Sequence, residues 1–323
     1  MSTGTAIDAQ LMTSEEVTYG TPVTPERGVK FLDESLKLSV ERIESSELRS
    51  GRRIMRSDDW ETGKRTVAGD INMELSTKGH GRWFKHMFGT VVTSQPAAGP
   101  SPTVYLHTFT PGDLPVAQTI QVGRPDESGT VQPFTYHGCR VASWQLECAV
   151  SGLAKLKVGI VGEDEETDTA LAVVSYATGA RRLPFVSATL TVGGVAVKVK
   201  SATLSGTTPL ASDRFSLGSA LTEKPLENDI RAITGTLTGD FRGLTAYDRF
   251  RNGVEAELVL TFAGGIIEDA LRYQTVVTAN VRFDGETPNV SGQGIVQQNT
   301  PIKVVDNGTL SIKVEYQTTD ATP

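Results

Sequence analysis

Cysteine is nearly absent from this sequence, whose 323 residues include only Cys139 and Cys148. Two cysteines are too few for a disulfide framework and favour folding in a reducing, cytosolic compartment. No apolar run approaches the ~20 residues of a membrane helix. The opening MSTGTAIDAQLMTSEE has neither the basic nor the apolar region of a signal peptide. We therefore expect a chain that carries no signal peptide and has no membrane partner.

Basic residues are also in deficit. The sequence contains 31 Lys and Arg residues against 38 Asp and Glu residues, which gives a formal net charge of -7. A protein that holds nucleic acid by neutralising phosphates has a basic excess or a basic stripe. The composition excludes that class, but it is compatible with a surface that DNA passes without adsorbing.

Patterns of catalytic or metal-binding residues are missing as well. His80 and His86 are six positions apart, which is the wrong spacing for a helical zinc pair. His137 and Cys139 could share a strand face, but no third residue nearby would orient the base that a Cys nucleophile needs. The acidic run at 163–168 lacks the ligand spacing of a calcium loop and favours an exposed linker. We predict a protein that is not an enzyme and has no cofactor or metal.

Strand patterns dominate what is present. Residues 1–34 are polar and rich in breakers, which predicts an extended N-terminal arm. Apolar and polar residues then alternate from residue 36 to 41 and from 67 to 75, the period-two pattern of strands with one buried and one wet face. The two strands predict a long hairpin with a loop over residues 46–65.

The hairpin loop combines charges with hydrophobic residues. A charge run is typical of a solvated loop, whereas hydrophobic residues inside it need burial somewhere and favour an interaction loop. The residues of the predicted interaction loop are Arg49, Arg52, Arg53, Ile54, Met55, Arg56, Asp58, Asp59 and Trp60.

The second half of the sequence repeats the order of the first. RTVAGDINMEL aligns with RAITGTLTGDF, GHGRWFKHMFG with GLTAYDRFRNG, and FTYHGCRVASWQL with LRYQTVVTANVRF. The middle pair predicts two short helices that end at glycine. Their predicted core faces are Trp83, Phe84, Met87 and Phe88 in the first, and Leu244, Tyr247 and Phe250 in the second. The alternative is that two β-rich segments align loosely without a shared origin.

This repeat predicts a mainly β protein with two homologous antiparallel β-sandwich or barrel domains, each with a short flanking helix. The first domain spans 35–180, and the second spans 181–323 with a flexible C-terminal tail. Exposed edges of antiparallel sheets pair with other chains, and closure into a ring removes them. We expect a trimer with pseudo-sixfold symmetry, in preference to a hexamer, because each chain supplies two arcs.

Four stretches resemble the tail tube proteins of long-tailed phages, in the branch with two tube-like halves. They are VTYGTPVTPERGVKFLDESLKL, LHTFTPGDLPVAQTIQVGRPD, PFTYHGCRVASWQL and ITGTLTGDFRGLTAYDRFRNG. The resemblance implies a β-sandwich or barrel tube fold, rings of sixfold or pseudo-sixfold symmetry, and a hairpin loop between stacked rings. It also implies a place in the virion tail after assembly in the host cytoplasm. The implied partners are tape-measure, tail terminator and tail-tip proteins, with double-stranded DNA in passage.

We therefore expect a structural virion protein that polymerises into the phage tail tube. The alternative is another β-structural phage module, for capsid decoration or adhesion. If the sheets close into a tube, one polar face of the alternating strands must line the lumen. The residues predicted for that face are Lys37, Ser39, Glu41, Asp70, Asn72, Glu74, Glu255 and Glu257.

Overall fold

Antiparallel strands make up most of the chain in the computed structural model, which describes residues 4–96, 103–285, 287–290 and 292–323. The first half contains β1 (Gln10–Glu15), β2 (Arg27–Val29), β3 (Asp33–Glu34), β4 (Lys37–Glu44), β5 (Trp60–Glu74), α1 (Gly81–Phe88), β6 (Gly89–Ser94), β7 (Tyr105–Pro111), β8 (Gln118–Pro125), β9 (Val131–Ala149), β10 (Lys155–Gly162) and β11 (Asp164–Glu166). The second half contains β12 (Ala188–Val192), β13 (Val195–Ala196), β14 (Ser201–Thr207), β15 (Leu210–Ala211), β16 (Leu226–Glu227), β17 (Ala232–Asp240), α2 (Thr245–Asn252), β18 (Ala256–Glu268), β19 (Leu271–Phe283), β20 (Gln297–Val304) and β21 (Ile312–Thr318). The predicted mainly β class is confirmed.

One sheet runs through both halves of the chain. Its strands follow the order β4–β5–β10–β9 and then β14–β17–β20–β19, so the second set repeats the arrangement of the first. The two sets are joined where β9 pairs with β14, from Ser143 opposite Thr207 to Ala149 opposite Ser201. Two four-stranded sets thus share one hydrogen-bonded sheet, an arrangement consistent with the predicted repeat.

The core lies on one face of this sheet, against α1. Phe84 of the helix packs on Phe109 of β7 and Tyr316 of β21, with ring centroids 5.7 and 5.6 Å apart. Phe88 packs on Trp144 of β9 at 5.5 Å. The helix thus connects the long sheet to a second layer of strands, β6–β7–β21–β19–β18–β12.

The two helices differ in burial. The apolar face of α1 is enclosed, since Trp83, Phe84, Met87 and Phe88 are all buried. The expected core face of α2 needs correction: Leu244 is 60% exposed, Phe250 is exposed and Tyr247 is only partly covered. The chain after α1 continues into the β6–β7 hairpin, which covers the helix, whereas the chain after α2 runs directly into β18.

Both termini are integrated into the fold, contrary to expectation. The predicted extended arm forms β1 and β2, which pair with each other and, through β1, with β8; Leu11 and Met12 are buried there. The predicted flexible tail is held by hydrogen bonds. The amide of Gly79 donates to Asp320 at 2.7 Å, and Arg27 donates to the Pro323 carbonyl at 2.8 Å.

Two further segments depart from their predicted form. The acidic run at 163–168 is not an exposed linker, because β11 pairs with β9 and Asp164 is buried beside Arg65 at 2.9 Å. The hairpin strands are longer than predicted, since β4 reaches Glu44 and β5 begins at Trp60. The loop is consequently shorter and covers residues 45–59.

Glu15 fastens β1 to α1. Its carboxylate accepts hydrogen bonds from Lys85 Nζ at 2.8 Å and from His86 Nε2 at 3.1 Å. The hydrogen bond from His86, followed by those from Lys85, lowers the pKa of Glu15 from its usual 4.5 to about 2, against the opposing effect of partial burial. The ionised form of Glu15 is therefore favoured by folding.

Replacing Glu15 by Gln should destabilise the protein by roughly 1 kcal/mol at pH 7, because charge-assisted hydrogen bonds are lost. A lowered folded-state pKa contributes stability that is complete above the unfolded value and disappears as pH falls through the folded value. The difference between wild type and E15Q should therefore shrink between pH 4.5 and about 2. Urea unfolding at pH 7 and pH 3 measures this, with E47Q in the exposed loop as the control; a pH-independent difference would contradict the assignment.

Candidate functional surfaces

A continuous polar surface covers the face of the long sheet that points away from the core. It spans seven adjacent strands, β4–β5–β10–β9–β14–β17–β20, and the ladder registers place its side chains on the same face. Its members are Lys37, Ser39, Asp70, Asn72, Glu74, Lys155, Lys157, Gln145, Glu147, Ser201, Thr203, Ser205, Thr234, Thr236, Thr238, Asn299 and Lys303. We call this set the polar face. Intervening residues such as Ile71, Leu204 and Leu237 are buried in the core.

Hydroxyl and amide groups predominate on the polar face, and several charges on it are paired. Lys157 contacts Asp70 at 2.8 Å, and Arg182 contacts Glu74 at 2.9 Å. Asn72 donates a hydrogen bond to Asp33. Such pairs offset the attraction of a lysine for a phosphate. Lys37, Lys155 and Lys303 are exposed and form no ion pair among the described residues, so the face presents mainly hydrogen-bonding groups with scattered lysines.

Five of the eight residues predicted for the lumen belong to the polar face: Lys37, Ser39, Asp70, Asn72 and Glu74. The other three lie elsewhere. Glu41 is exposed at an irregularity of the β4–β5 ladder and accepts a hydrogen bond from the Lys64 amide. Glu255 precedes β18, and Glu257 stands on β18 opposite Asn280 of β19, outside the seven strands.

The hydroxyl rows of β14 and β17 were missed by the sequence analysis. Their sequences, SATLSGT and AITGTLTGD, alternate a hydroxyl with an apolar residue or glycine. This alternation is the sequence pattern that could have identified the solvent-facing residues of the two strands. Ser and Thr are common on both faces of sheets, however, so they are weak indicators of the solvent-facing side.

The hairpin formed by β4 and β5 projects into solvent with the predicted interaction loop at its tip. Ladder pairing continues to Glu44 opposite Trp60, and Arg42 stacks on the Trp60 ring at 5.4 Å. Ile54 is 85% exposed at the tip, and Met55 is also exposed. The remaining predicted residues, Arg49, Arg52, Arg53, Arg56, Asp58 and Asp59, lie in the same loop. Exposed apolar side chains at the end of an arm are typical of a contact surface.

Cys139 and His137 lie in a buried polar cluster beneath the N-terminal segment. Burial raises the pKa of the Cys139 thiol well above its usual value, which disfavours the thiolate that nucleophilic chemistry requires. His137 Nδ1 lies 3.7 Å from a Glu163 carboxylate oxygen. Glu16 accepts hydrogen bonds from the Gly138 and Gly20 amides at 2.7 and 2.9 Å, so the cluster anchors the segment to β9.

The described ranges contain neither a cluster of metal ligands nor a membrane-spanning helix. Across them, no group of three or more His, Cys, Asp or Glu side chains is arranged to hold a metal ion. Among the helices in the same ranges, none is both long and apolar enough to cross a membrane.

Sequence comparison supplies one family match. A family model described as phage tail tube protein matches residues 6–304. No curated protein sequence matches the chain.

Proposed function

Because the chain belongs to the phage tail tube protein family, we propose that its copies stack as rings into the tube that conducts DNA from the phage. The observation that carries this proposal is the polar face, which extends without interruption over seven strands contributed by both halves. A tube wall needs one wet face for its lumen. The opposite face of the same sheet packs on α1 and the second strand layer, which would then form the outside of the wall.

We assign the polar face to the lumen. Its hydroxyls, amides and paired charges would remain hydrated while giving DNA few free cations to adsorb on, as rapid passage requires. The chain's net charge of -7 has the same consequence for the tube as a whole. Glu41, at the irregularity of β4, and Glu255 and Glu257, outside the seven strands, would contribute to the field near the lumen.

The two four-stranded sets support three chains per ring. If the sets are homologous arcs, three chains provide six arcs around one pseudo-sixfold axis, and half of the joints between arcs lie within a chain, at the β9–β14 pairing. The rival arrangement is a hexamer in which only the first half forms the wall. Tape-measure, tail terminator and tail-tip proteins are the proposed further partners, in the virion tail assembled in the host cytoplasm.

The lumen assignment predicts a change in chemical accessibility on assembly. Thr234, on the polar face, and Val92, on β6 of the second layer, are both exposed in the single chain. A T234C side chain should react with a polymer-linked maleimide in the monomer and become protected in tubes, because the bulky reagent enters the lumen slowly. A V92C side chain should stay reactive in both states. Labelling rates read by mass spectrometry measure this, and undiminished labelling of T234C in tubes would contradict the assignment.

A further inference from the structure

Arg231 makes a contact that ties the second half of the chain to the first. Its Nε and one terminal nitrogen donate to the Glu227 carboxylate at 2.6 and 2.8 Å. The guanidinium also donates to the carbonyls of Phe88 and Gly112 at 2.8 and 2.7 Å. Phe88 is the last residue of α1, where helix carbonyls lack intrahelical partners and attract cations. The Glu227–Arg231 pair therefore caps the C-terminal end of α1 across the joint between the two halves.

The same pair of residues recurs at the corresponding place in the first half. Glu61 and Arg65 have the spacing of Glu227 and Arg231, and both arginines precede the matching residues Val-Ala-Gly and Ile-Thr-Gly by two positions. Glu61 and Arg65 lie near the start of β5, as Glu227 and Arg231 lie just before β17, and β5 and β17 hold the same position in their four-stranded sets.

Among the described residues, no helix end completes the corresponding contact in the first half. Arg65 contacts Asp164 through one terminal nitrogen at 2.9 Å, but its side chain remains 36% exposed, against 15% for Arg231. Its buried Nε has no hydrogen-bond partner among the described residues, and Glu61 is exposed. Arg65 thus lacks the carbonyls that Arg231 binds, and Glu61, four residues away on the extended strand β5, makes no ion pair with it among the described residues.

The helix that lacks such a cap is α2. It ends at Asn252, before Gly253 in the left-handed conformation (φ 65°), just as α1 ends at Phe88 before Gly89 (φ 104°). Leu244 and Phe250 are exposed on it, and a groove of about 560 Å³ runs beside it. Valines of the 195–199 segment, Leu237 and Phe283 line this groove.

We propose that Glu61 and Arg65 of one subunit cap the C-terminal end of α2 in the adjacent subunit, at the Asn252 carbonyl. The contact between chains then repeats the contact that Glu227 and Arg231 make to α1 within a chain. The partner is a second copy of this protein in the ring, so the inference rests on the proposed function. Arg249 and Arg251 in the last turn of α2 are complementary to the incoming Glu61. The exposed face of α2 becomes covered at the same joint.

Cross-linking tests directly whether residue 65 of one subunit lies beside residue 252 of the adjacent subunit. A chain carrying R65C and N252C, treated with a short bismaleimide after assembly, should form covalent ladders whose linked peptides join residue 65 of one chain to residue 252 of another. Each single variant should give no such ladder. The native Cys139 and Cys148 are buried and serve as an internal background. The double variant is assembled at a protein concentration above the one that R65A requires. Tubes of the double variant that yield no 65–252 link would overturn the proposal.

Assembly measurements test the energetics. E61K changes an exposed residue and should raise the protein concentration needed for ring formation about tenfold or more, as loss of a buried ion-paired anchor does. R65A should do the same. E127K is the matched control, because it makes the same change of charge at an exposed turn residue outside the proposed contact; it should assemble at the wild-type concentration.

Thermal melting of each monomer separates misfolding from loss of contact. E61K and E127K should melt close to wild type, whereas R231A, which breaks the contact within the chain, should lower the melting temperature. Normal assembly of E61K and R65A would overturn the inter-subunit contact and leave the tube function standing. A wild-type chain that forms neither rings nor tubes would contradict the proposed function itself, and this contact with it.

Discussion

Replacing residues 46–58 by an Asn-Gly turn should give a soluble, folded subunit that forms no elongated tubes. The amide of Ser45 already donates to the Asp59 carbonyl at 2.8 Å, so a two-residue turn can close the shortened hairpin. Ile54 and Met55 are exposed and contribute nothing to the core, so unfolding free energy should change by less than about 0.5 kcal/mol. The loop is the proposed bridge to the next ring, and its loss should abolish stacking.

A second variant separates the apolar contribution from the length of the loop. The double variant I54S/M55S keeps the length and all the charges of the loop. It removes only the two apolar side chains that are proposed to dock on the neighbouring ring. We expect it to elongate poorly, with a melting temperature equal to wild type.

In tubes of the wild type, amide exchange across residues 45–59 should slow relative to the monomer, because the loop becomes ordered on contact. Normal tubes from the shortened chain would rule out the bridging role.

Gly206→Ala should destabilise the subunit by about 2–3 kcal/mol, the cost of overpacking a closed core. Gly206 lies in β14 directly opposite Trp144 of β9, and an added Cβ would overlap the indole ring. Trp144 packs in turn on Phe88 of α1. Displacing it disturbs the joint between the two four-stranded sets as well as the helix above them.

Gly265→Ala provides the comparison for that experiment. Gly265 is also a strand glycine, on β18, but a Cβ there meets no atom within 4 Å. We expect G265A to unfold at the wild-type denaturant concentration in equilibrium experiments and G206A to unfold at a clearly lower one. Equal midpoints for the two variants would show that the β9–β14 joint tolerates expansion, against the close packing described above.

Local periodicity predicted the parts of the fold that depend on neighbouring residues. The alternation from residue 67 to 75 gave β5 with its core and wet faces, and the apolar spacing of Trp83, Phe84, Met87 and Phe88 gave the enclosed face of α1. The same reasoning failed for α2, because an apolar stripe indicates that a helix packs on something but not whether the cover lies in the same chain.

Pairing between segments distant in sequence accounts for the other differences between the predicted and the observed structure. The segment QLMTSE has no strong strand pattern of its own and becomes β1 by pairing with β8, more than a hundred positions along the chain. Asp164 is buried because Arg65, distant in sequence, supplies its counter-charge. The polar face could be predicted at β4 and β5, where charged residues alternate with apolar ones, but not at β14 and β17, where hydroxyls carry it.

Cryo-electron microscopy of tubes assembled from the purified chain tests the central claim most directly. The account predicts rings of three chains with pseudo-sixfold symmetry, in which Asp70, Thr203 and Thr236 face the lumen and α1 lies on its outer side. Six chains per ring would contradict the trimer. A tube whose polar face points outward would contradict the assignment of the lumen, and discrete particles without tubes would contradict the function.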